Sequence, residues 1–315
     1  MCKVSVVITA HNSSRYISNA IDSLTNQTFD KDFEIILIDD SSTDNCEELL
    51  AKYEKKSAKL TYKSVNFASP LLSRLEGVKL AKGDYIMFLD ADDEYSKNMI
   101  QVMYETIVRE SADIVNCGIT YLRNKNREKK SIISKNATYD RLGAFKTLLN
   151  DYSFHGFVTT KIYKADLFNS IKINLPQDNL TYEDYFLNYL LIMECDKVVS
   201  IKDQLFRYNK RNNETQIKLT RRITDQVAVN AFIRNDLEKD DKKEYLNYFL
   251  KPKIHFRKWA SKLVDILMAK YDSKEQKKEI EAIAKKDLKY VFKKKGKLNL
   301  DQERSYYKLI KNSEK

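Results

Sequence analysis

The residues of this chain best suited to chemistry are carboxylates that close apolar runs. FLDADDEY (88–95) places Asp90, Asp92 and Asp93 directly after an apolar stretch. An Asp-x-Asp at a turn offers oxygen ligands to Mg²⁺ or Mn²⁺, and a hard cation held by one or two carboxylates ordinarily bridges substrate phosphates. On spacing alone the segment is equally a solvated acidic turn that caps the next helix. A second pair, Asp39–Asp40, ends another apolar run, FEIILIDD (33–40), and the two together weigh toward a site. A third, Glu183–Asp184 in TYEDYFLNYLL (181–191), reads by itself as an acidic helix start favoured by the helix dipole.

The elements that must hold these groups alternate. VSVVITAHN (4–12) predicts a buried parallel strand, and Ser13 and Ser14 are expected to cap a helix over Tyr16–Asn26, whose Ile17, Ala20, Ile21 and Leu24 fall at helical spacing. A strand over 33–40 follows, then Ser42–Asp44 as caps for a helix over 46–56. A short strand at 62–65, a helix over 74–81 and a strand over 84–90 come next. This alternation predicts a doubly wound α/β fold, and ligands in such sheets bind beyond the carboxyl ends of the strands. Thr9–Asn12, Asp39–Asp40 and Asp90–Asp93 are all expected on that rim.

Charge divides the chain. It has 315 residues, 56 Lys+Arg and 45 Asp+Glu, a net of +11. Residues 1–215 carry a net of −1, and residues 216–315, with 27 basic and 15 acidic side chains, carry +12. That last segment predicts amphipathic helices with lysine on their polar faces. Their seams are Ile223/Val227/Ala231/Phe232, Trp259/Leu263/Ile266/Leu267 and Ile280/Ile283/Ala284/Leu288/Val291. Hydrophobic residues at 43% exclude global disorder. No apolar run approaches the roughly 20 residues that span a bilayer, and no secretory signal is evident. Cytoplasmic location is expected, and the spacing of Cys2, Cys46, Cys117 and Cys195 fits reduced thiols.

Five ordered blocks carry a resemblance: VSVVITAHN, ILIDDSSTD (36–44), SRLEGVKLAKGDYIMFLDADD (73–93), TTKIYKADLF (159–168) and TYEDYFLNYLL. In order and spacing they resemble the family 2 glycosyltransferases of GT-A fold, of the kind that builds bacterial surface polysaccharide or decorates teichoic acid. The resemblance implies a Rossmann-like nucleotide-sugar-binding domain with a mostly parallel sheet over 1–215, with a nucleotide-sugar half to about 95 and an acceptor half from 96. A helical module over 216–315 follows it. The implied reaction is metal-dependent, inverting transfer from a UDP-sugar to a hydroxyl of a glycan or polyol-phosphate.

By position, the resemblance places Asp40 on the uracil ring, Thr9 and His11 against the base, and Asn66 and Arg74 toward the nucleotide. Arg74 is expected to fork onto phosphate oxygens. Asp90 and the Ala91 backbone are placed beside the ribose and sugar, Asp92 on Mn²⁺ or Mg²⁺, Arg211 near the diphosphate and Asp184 as general base. The family's usual proline, aromatic, glycine and asparagine are here Thr9, His11, Ser41 and Leu75. His155 reads as a packed residue and Lys161 as a brace. The basic helices further suggest peripheral contact with an anionic membrane and self-association. The alternatives are an inactive GT-A scaffold and a nucleic-acid-binding protein, the latter disfavoured because the helices lack an aromatic-plus-basic readout motif.

Overall fold

The computed structural model describes residues 2–46, 48, 53, 59–123, 127–132, 134–150, 154, 156–173, 180–210, 219–250 and 278. The chain divides into two units, Met1–Thr215 and Gln216–Lys315.

In the first unit β1 (Val4–Ala10) is β-branched and buried almost throughout, as a strand covered on both faces must be. α1 (Ile17–Thr25) buries Ile17, Ala20, Ile21 and Leu24, the stripe its spacing predicts. β2 (Phe33–Asp40), β3 (Leu60–Val65), α2 (Pro70–Leu80) and β4 (Tyr85–Asp90) complete the alternation. The remaining elements are β5 (Glu94–Tyr95), α3 (Met99–Glu110), β6 (Ile114–Arg123), β7 (Arg127–Ile132), β8 (Ala137–Asp140), α4 (Arg141–Asn150), β9 (Lys161–Lys164), α5 (Leu167–Ser170), α6 (Glu183–Glu194) and β10 (Lys197–Lys210).

Among the described residues one ten-stranded sheet runs β3-β2-β1-β4-β9-β6-β10-β5, with β7 on β6 and β8 on β10. Pairing is parallel from β3 to β4 and again between β6 and β10, so most paired residues lie in parallel register. β9 enters antiparallel between β4 and β6. Strand order reverses at β1, between β2 and β4, which is where a doubly wound sheet opens its ligand crevice. Ala10 pairs with Asp39 and Thr9 with Asp90, so the three predicted strand ends do share one rim.

Two local expectations are corrected. α2 begins at Pro70, four residues before the predicted start, because the Ser69 side chain caps Leu72 N–H and Pro70 suits the first turn. Arg74 therefore lies on the inner face of the helix with Leu71 and Gly77. A Cβ on Gly77 would collide with Val7 Cγ1, so glycine is what lets α2 sit this close to β1. Ser13 caps α1 through its backbone, accepting from Tyr16 and Ile17 N–H, while its hydroxyl donates to the His11 carbonyl. Ser14 N–H instead donates to Asp44, which also accepts from Cys46 N–H as predicted.

In the second unit α7 (Leu219–Leu237) and α8 (Lys243–Phe249) are described. α7 is helical as predicted, but Ala231 and Phe232 are only half-buried. Its buried apolar stripe is Val229, Ile233 and Leu237. The Ile223 and Val227 side chains of the predicted seam lie outside the described residues. The two later predicted helices lie outside the described residues. Among the described residues no helix is long and apolar enough to cross a membrane, and Cys2, Cys46, Cys117 and Cys195 are free thiols.

Candidate active site

The rim of the sheet holds two linked groups of side chains. The first surrounds Asp40 at the end of β2. Its Oδ1 accepts from Phe67 N–H and Ala68 N–H at 2.8 Å and Ser41 Oγ at 2.9 Å, and its Oδ2 from Ser69 N–H at 2.9 Å and Ser73 Oγ at 2.7 Å. Burial works against its charge, but these hydrogen bonds outweigh it and hold Asp40 below the usual carboxylate range. A carboxylate has about four acceptor positions, and five donors of the chain already crowd them. In this geometry Asp40 fastens the 67–69 turn and α2 to β2.

Ser41 stands where the family's glycine is usual, and its φ of 60° explains that preference. The left-handed conformation costs a residue with a side chain about 1–2 kcal/mol. Here the Ser41 hydroxyl, within hydrogen-bond reach of Asp40 Oδ1 and of Asn66 Oδ1 at 2.7 Å, offsets that cost. His11 Nδ1 donates to the Asp40 carbonyl at 2.7 Å, and its Nε2 accepts from Asn12 Nδ2 at 3.0 Å. His11 and Asn66 are exposed at the mouth of the crevice.

The second group begins at Asp90, the last residue of β4. Arg74 Nη2 donates to Asp90 Oδ1 at 2.8 Å, and Thr9 Oγ1 lies 3.5 Å from the same oxygen. Arg74 Nη1 meets Asp184 Oδ1 at 2.8 Å and Glu183 Oε1 at 3.5 Å. The Arg74 side chain is only 4% exposed. Burial opposes its charge, but Asp184, Asp90 and Glu183 outweigh it and hold the guanidinium above its ordinary value. Its terminal nitrogens thus face carboxylates, where phosphate oxygens were expected.

Asp184 lies in the first turn of α6. Its Oδ2 accepts from Val158 N–H at 3.3 Å. Asn188, one turn on, donates to the Gly156 and Asp184 carbonyls and accepts from Tyr163 Oη, so the 156–158 loop and α6 move as one piece. Burial raises both Glu183 and Asp184 above the usual carboxylate range; their mutual repulsion adds to this at Glu183, and Arg74 opposes it at both. Lys161 is buried and donates to the Phe154 and Phe157 carbonyls at 3.1 and 2.8 Å, the bracing role its sequence position suggests. Burial pushes its ammonium down to about 7.

One carboxylate oxygen each from Asp90, Asp92 and Asp93 lies within 4.8 Å of the others. Three hard oxygen donors at that spacing fit Mg²⁺ or Mn²⁺. Ala91 is buried and its N–H continues the ladder to the Thr9 carbonyl at 3.1 Å. The acidic turn is pinned from β10: Asn209 N–H donates to Asp93 Oδ1 at 2.8 Å, and Asn209 Nδ2 to the Asp92 carbonyl at 3.0 Å and Glu94 Oε1 at 3.1 Å. Sequence reading passed over Asp93 as a ligand, although it stands inside the quoted cluster. It also missed Asn209, whose signal was its place in RYNKRNNET (207–215), and Val158 N–H, which has no sequence signal. Arg211 and His155 lie outside the described residues.

Asn209→Ala keeps the backbone N–H that holds Asp93 Oδ1 and removes only the side-chain bonds to the Asp92 carbonyl and Glu94. Mn²⁺ binding is therefore expected to weaken by no more than about 10-fold, the low end of outer-sphere losses. Calorimetric titration of Mn²⁺ into wild type and variant measures it.

A sheet of order β3-β2-β1-β4 with an Asp-x-Asp turn and an acidic helix start on one crevice is a GT-A nucleotide-sugar-binding fold. The chain belongs to glycosyl transferase family 2, whose family model matches residues 5–168, just over half of it. It is 30% identical to the poly(ribitol-phosphate) beta-glucosyltransferase of Bacillus spizizenii over 216 residues, 67% of this chain and 33% of that protein. It is 26% identical to the cholesterol galactosyltransferase of Borreliella burgdorferi over 298 residues, 84% of this chain and 82% of that one. The crystal structure of Staphylococcus aureus TarS 1–349 in complex with UDP-GlcNAc superimposes with a TM-score of 0.69 at 23% identity, covering 88% of this chain and 79% of that one, a likeness of fold. The chain spans about a third of the length of the poly(ribitol-phosphate) transferases it matches.

Proposed function

We propose that this chain is an inverting glycosyltransferase that moves a sugar from a UDP-sugar to a hydroxyl of a polyol-phosphate or related surface glycan, on the cytoplasmic side of the membrane. The carrying observation is that Asp90 and Asp184, far apart in sequence, meet through Arg74 in one crevice beside the acidic turn. The donor's base lies against Thr9, His11 and Asn66, and its sugar beside Asp90 and the Ala91 backbone. Asp184 accepts the proton of the acceptor hydroxyl as that oxygen bonds to the anomeric carbon, and the bond from carbon to the UDP oxygen breaks with its electron pair leaving on UDP. Attack from the face opposite UDP inverts the centre. Asp92, with Asp90 and Asp93, would hold Mn²⁺ or Mg²⁺, which supplies charge neutralisation at the departing diphosphate.

Catalysis is assigned to residues 1–215. Residues 216–315, through their +12 charge, are assigned to holding the protein near an anionic polymer or membrane surface and to self-association. A membrane-lipid hydroxyl is the second acceptor reading, because the cholesterol galactosyltransferase is matched across most of both chains.

The test incubates the protein and Mn²⁺ with UDP-glucose, UDP-N-acetylglucosamine or UDP-galactose, offering poly(ribitol-phosphate) or sterol-containing vesicles. Mass spectrometry of the acceptor reads transfer, and NMR of the product linkage reads inversion. A hexose or N-acetylhexosamine gained by the polymer is expected. Gain by the lipid alone selects the second reading, and failure to bind any UDP-sugar overturns both.

A further inference from the structure

We infer that Arg74 is the positioning residue for the base, its guanidinium tying Asp184 to the donor-side carboxylate Asp90. This rests on the assignment of Asp184 as base. Arg74 is buried, with Nη2 at 2.8 Å from Asp90 and Nη1 at 2.8 Å from Asp184. A guanidinium is planar and its nitrogens are fixed relative to one another. It hydrogen-bonds Asp90 and sits in close charge contact with Asp184, so the two carboxylates are held at a set separation. One of them ends β4 beside the expected sugar, and the other opens α6 on the acceptor side.

The backbone reinforces this link from both ends. On the arginine side, the Ser69 cap, Pro70 and the close approach of Gly77 to Val7 seat α2 so that residue 74 faces inward. On the carboxylate side, Val158 N–H holds the second oxygen of Asp184, and Asn188 locks that loop to α6. With Asp184 fixed on one oxygen by the loop and on the other by Arg74, its distance to the donor depends on a single side chain. Removing Arg74 would leave Asp90, Glu183 and Asp184 without the guanidinium between them, with Lys161 acting on Asp184 alone. An arginine serving the donor phosphates would instead present its terminal nitrogens to the open crevice.

Arg74→Lys tests this, since it keeps a positive charge and removes the planar fork. UDP-sugar affinity, titrated calorimetrically with Mn²⁺, should stay at the wild-type value, while kcat falls about a hundredfold, the effect of a misplaced reacting group. In an Asp184→Asn background, Arg74→Lys should lower kcat no further, because both changes act through the same group. If the lysine variant does not fold, Arg74→Gln combined with Glu183→Gln, which removes a buried carboxylate together with the cation, replaces it in the same assay.

Donor affinity falling by the same factor as kcat/KM would make Arg74 a phosphate-binding residue and overturn the inference, as would an unchanged kcat or losses that add to those of Asp184→Asn. Wild-type protein that turns over, with Asp184→Asn fully active, overturns the base assignment and this inference with it. If Asp184→Asn is inactive, a contrary result in Arg74→Lys overturns only the role of Arg74.

Discussion

Asp184→Asn is expected to lower kcat by about 10²–10⁴-fold, the range that a positioned general base contributes, while the protein stays folded. Asparagine has nearly the same shape, but its one carbonyl oxygen can either accept the Val158 N–H or face Arg74, and its NH2 takes the other place. Arg74 keeps Asp90 at 2.8 Å and Glu183 at 3.5 Å. What disappears is the group proposed to take the proton. Burial raises Asp184 above its ordinary value of 3.8, so the fold disfavours its charged form, and relief of that cost offsets the lost contact with Arg74, leaving only a small shift of the unfolding midpoint. A residue kept only for stability would show the opposite pattern.

The pH dependence follows with its sign. Between the ordinary values of 3.8 and 4.5 and their raised ones, Asp184 and Glu183 bind more protons in the folded than in the unfolded chain. Stability therefore falls as pH rises through that window. Activity, which requires ionised Asp184, rises through it, and its acid limb should lie above the range of an exposed aspartate. Midpoints and kcat recorded against pH in wild type and Asp184→Asn measure both trends. Parallel trends in the two quantities would refute the assignment.

Asp92→Asn is expected to lower transfer by about a thousandfold or more, since metal stabilisation of a leaving group supplies several kcal/mol. The substitution should spare the fold. The Asp92 carbonyl, which asparagine retains, accepts from Asn209, and Asp90 keeps its ion pair with Arg74. Three carboxylates share this turn, and removing one lowers their mutual repulsion. EDTA should reduce the wild-type protein to the level of the variant, and added Mn²⁺ should restore only the wild type. Transfer by Asp92→Asn at the wild-type rate would remove Asp92 from the metal site.

Much of this was legible from residue order. The apolar runs 4–10, 33–40 and 85–90 became adjacent parallel strands, because a strand buried on both faces must be apolar on both, and that composition shows in a linear chain. The acidic ends of two of them, and the helix start at Glu183–Asp184, marked the crevice. Helical spacing located α1 and α7, yet on α7 it pointed to Ala231 and Phe232, which are only half-buried. The start of α2 was misplaced because Ser69 and Pro70 were passed over as a cap and first turn, and that error hid the inward direction of Arg74.

Side-chain partnerships were legible least. Residue order did not show that three backbone N–H groups and two hydroxyls gather around Asp40, or that Arg74 is held between carboxylates of β4 and α6. Those contacts join residues that are distant in sequence. They depend on a glycine-sized gap between α2 and β1 and on the backbone N–H groups of residues 67, 68, 69 and 158. Every non-proline residue carries such a donor, so residue types do not reveal which ones will converge. The sequence by itself determined the family, the strand order's raw material and the carboxylates at the rim, because burial and turn chemistry act locally. Only the tertiary structure decided which carboxylate meets which cation, because ion pairing and hydrogen bonding act over about 3 Å, a distance set by packing among elements that the chain brings together only on folding.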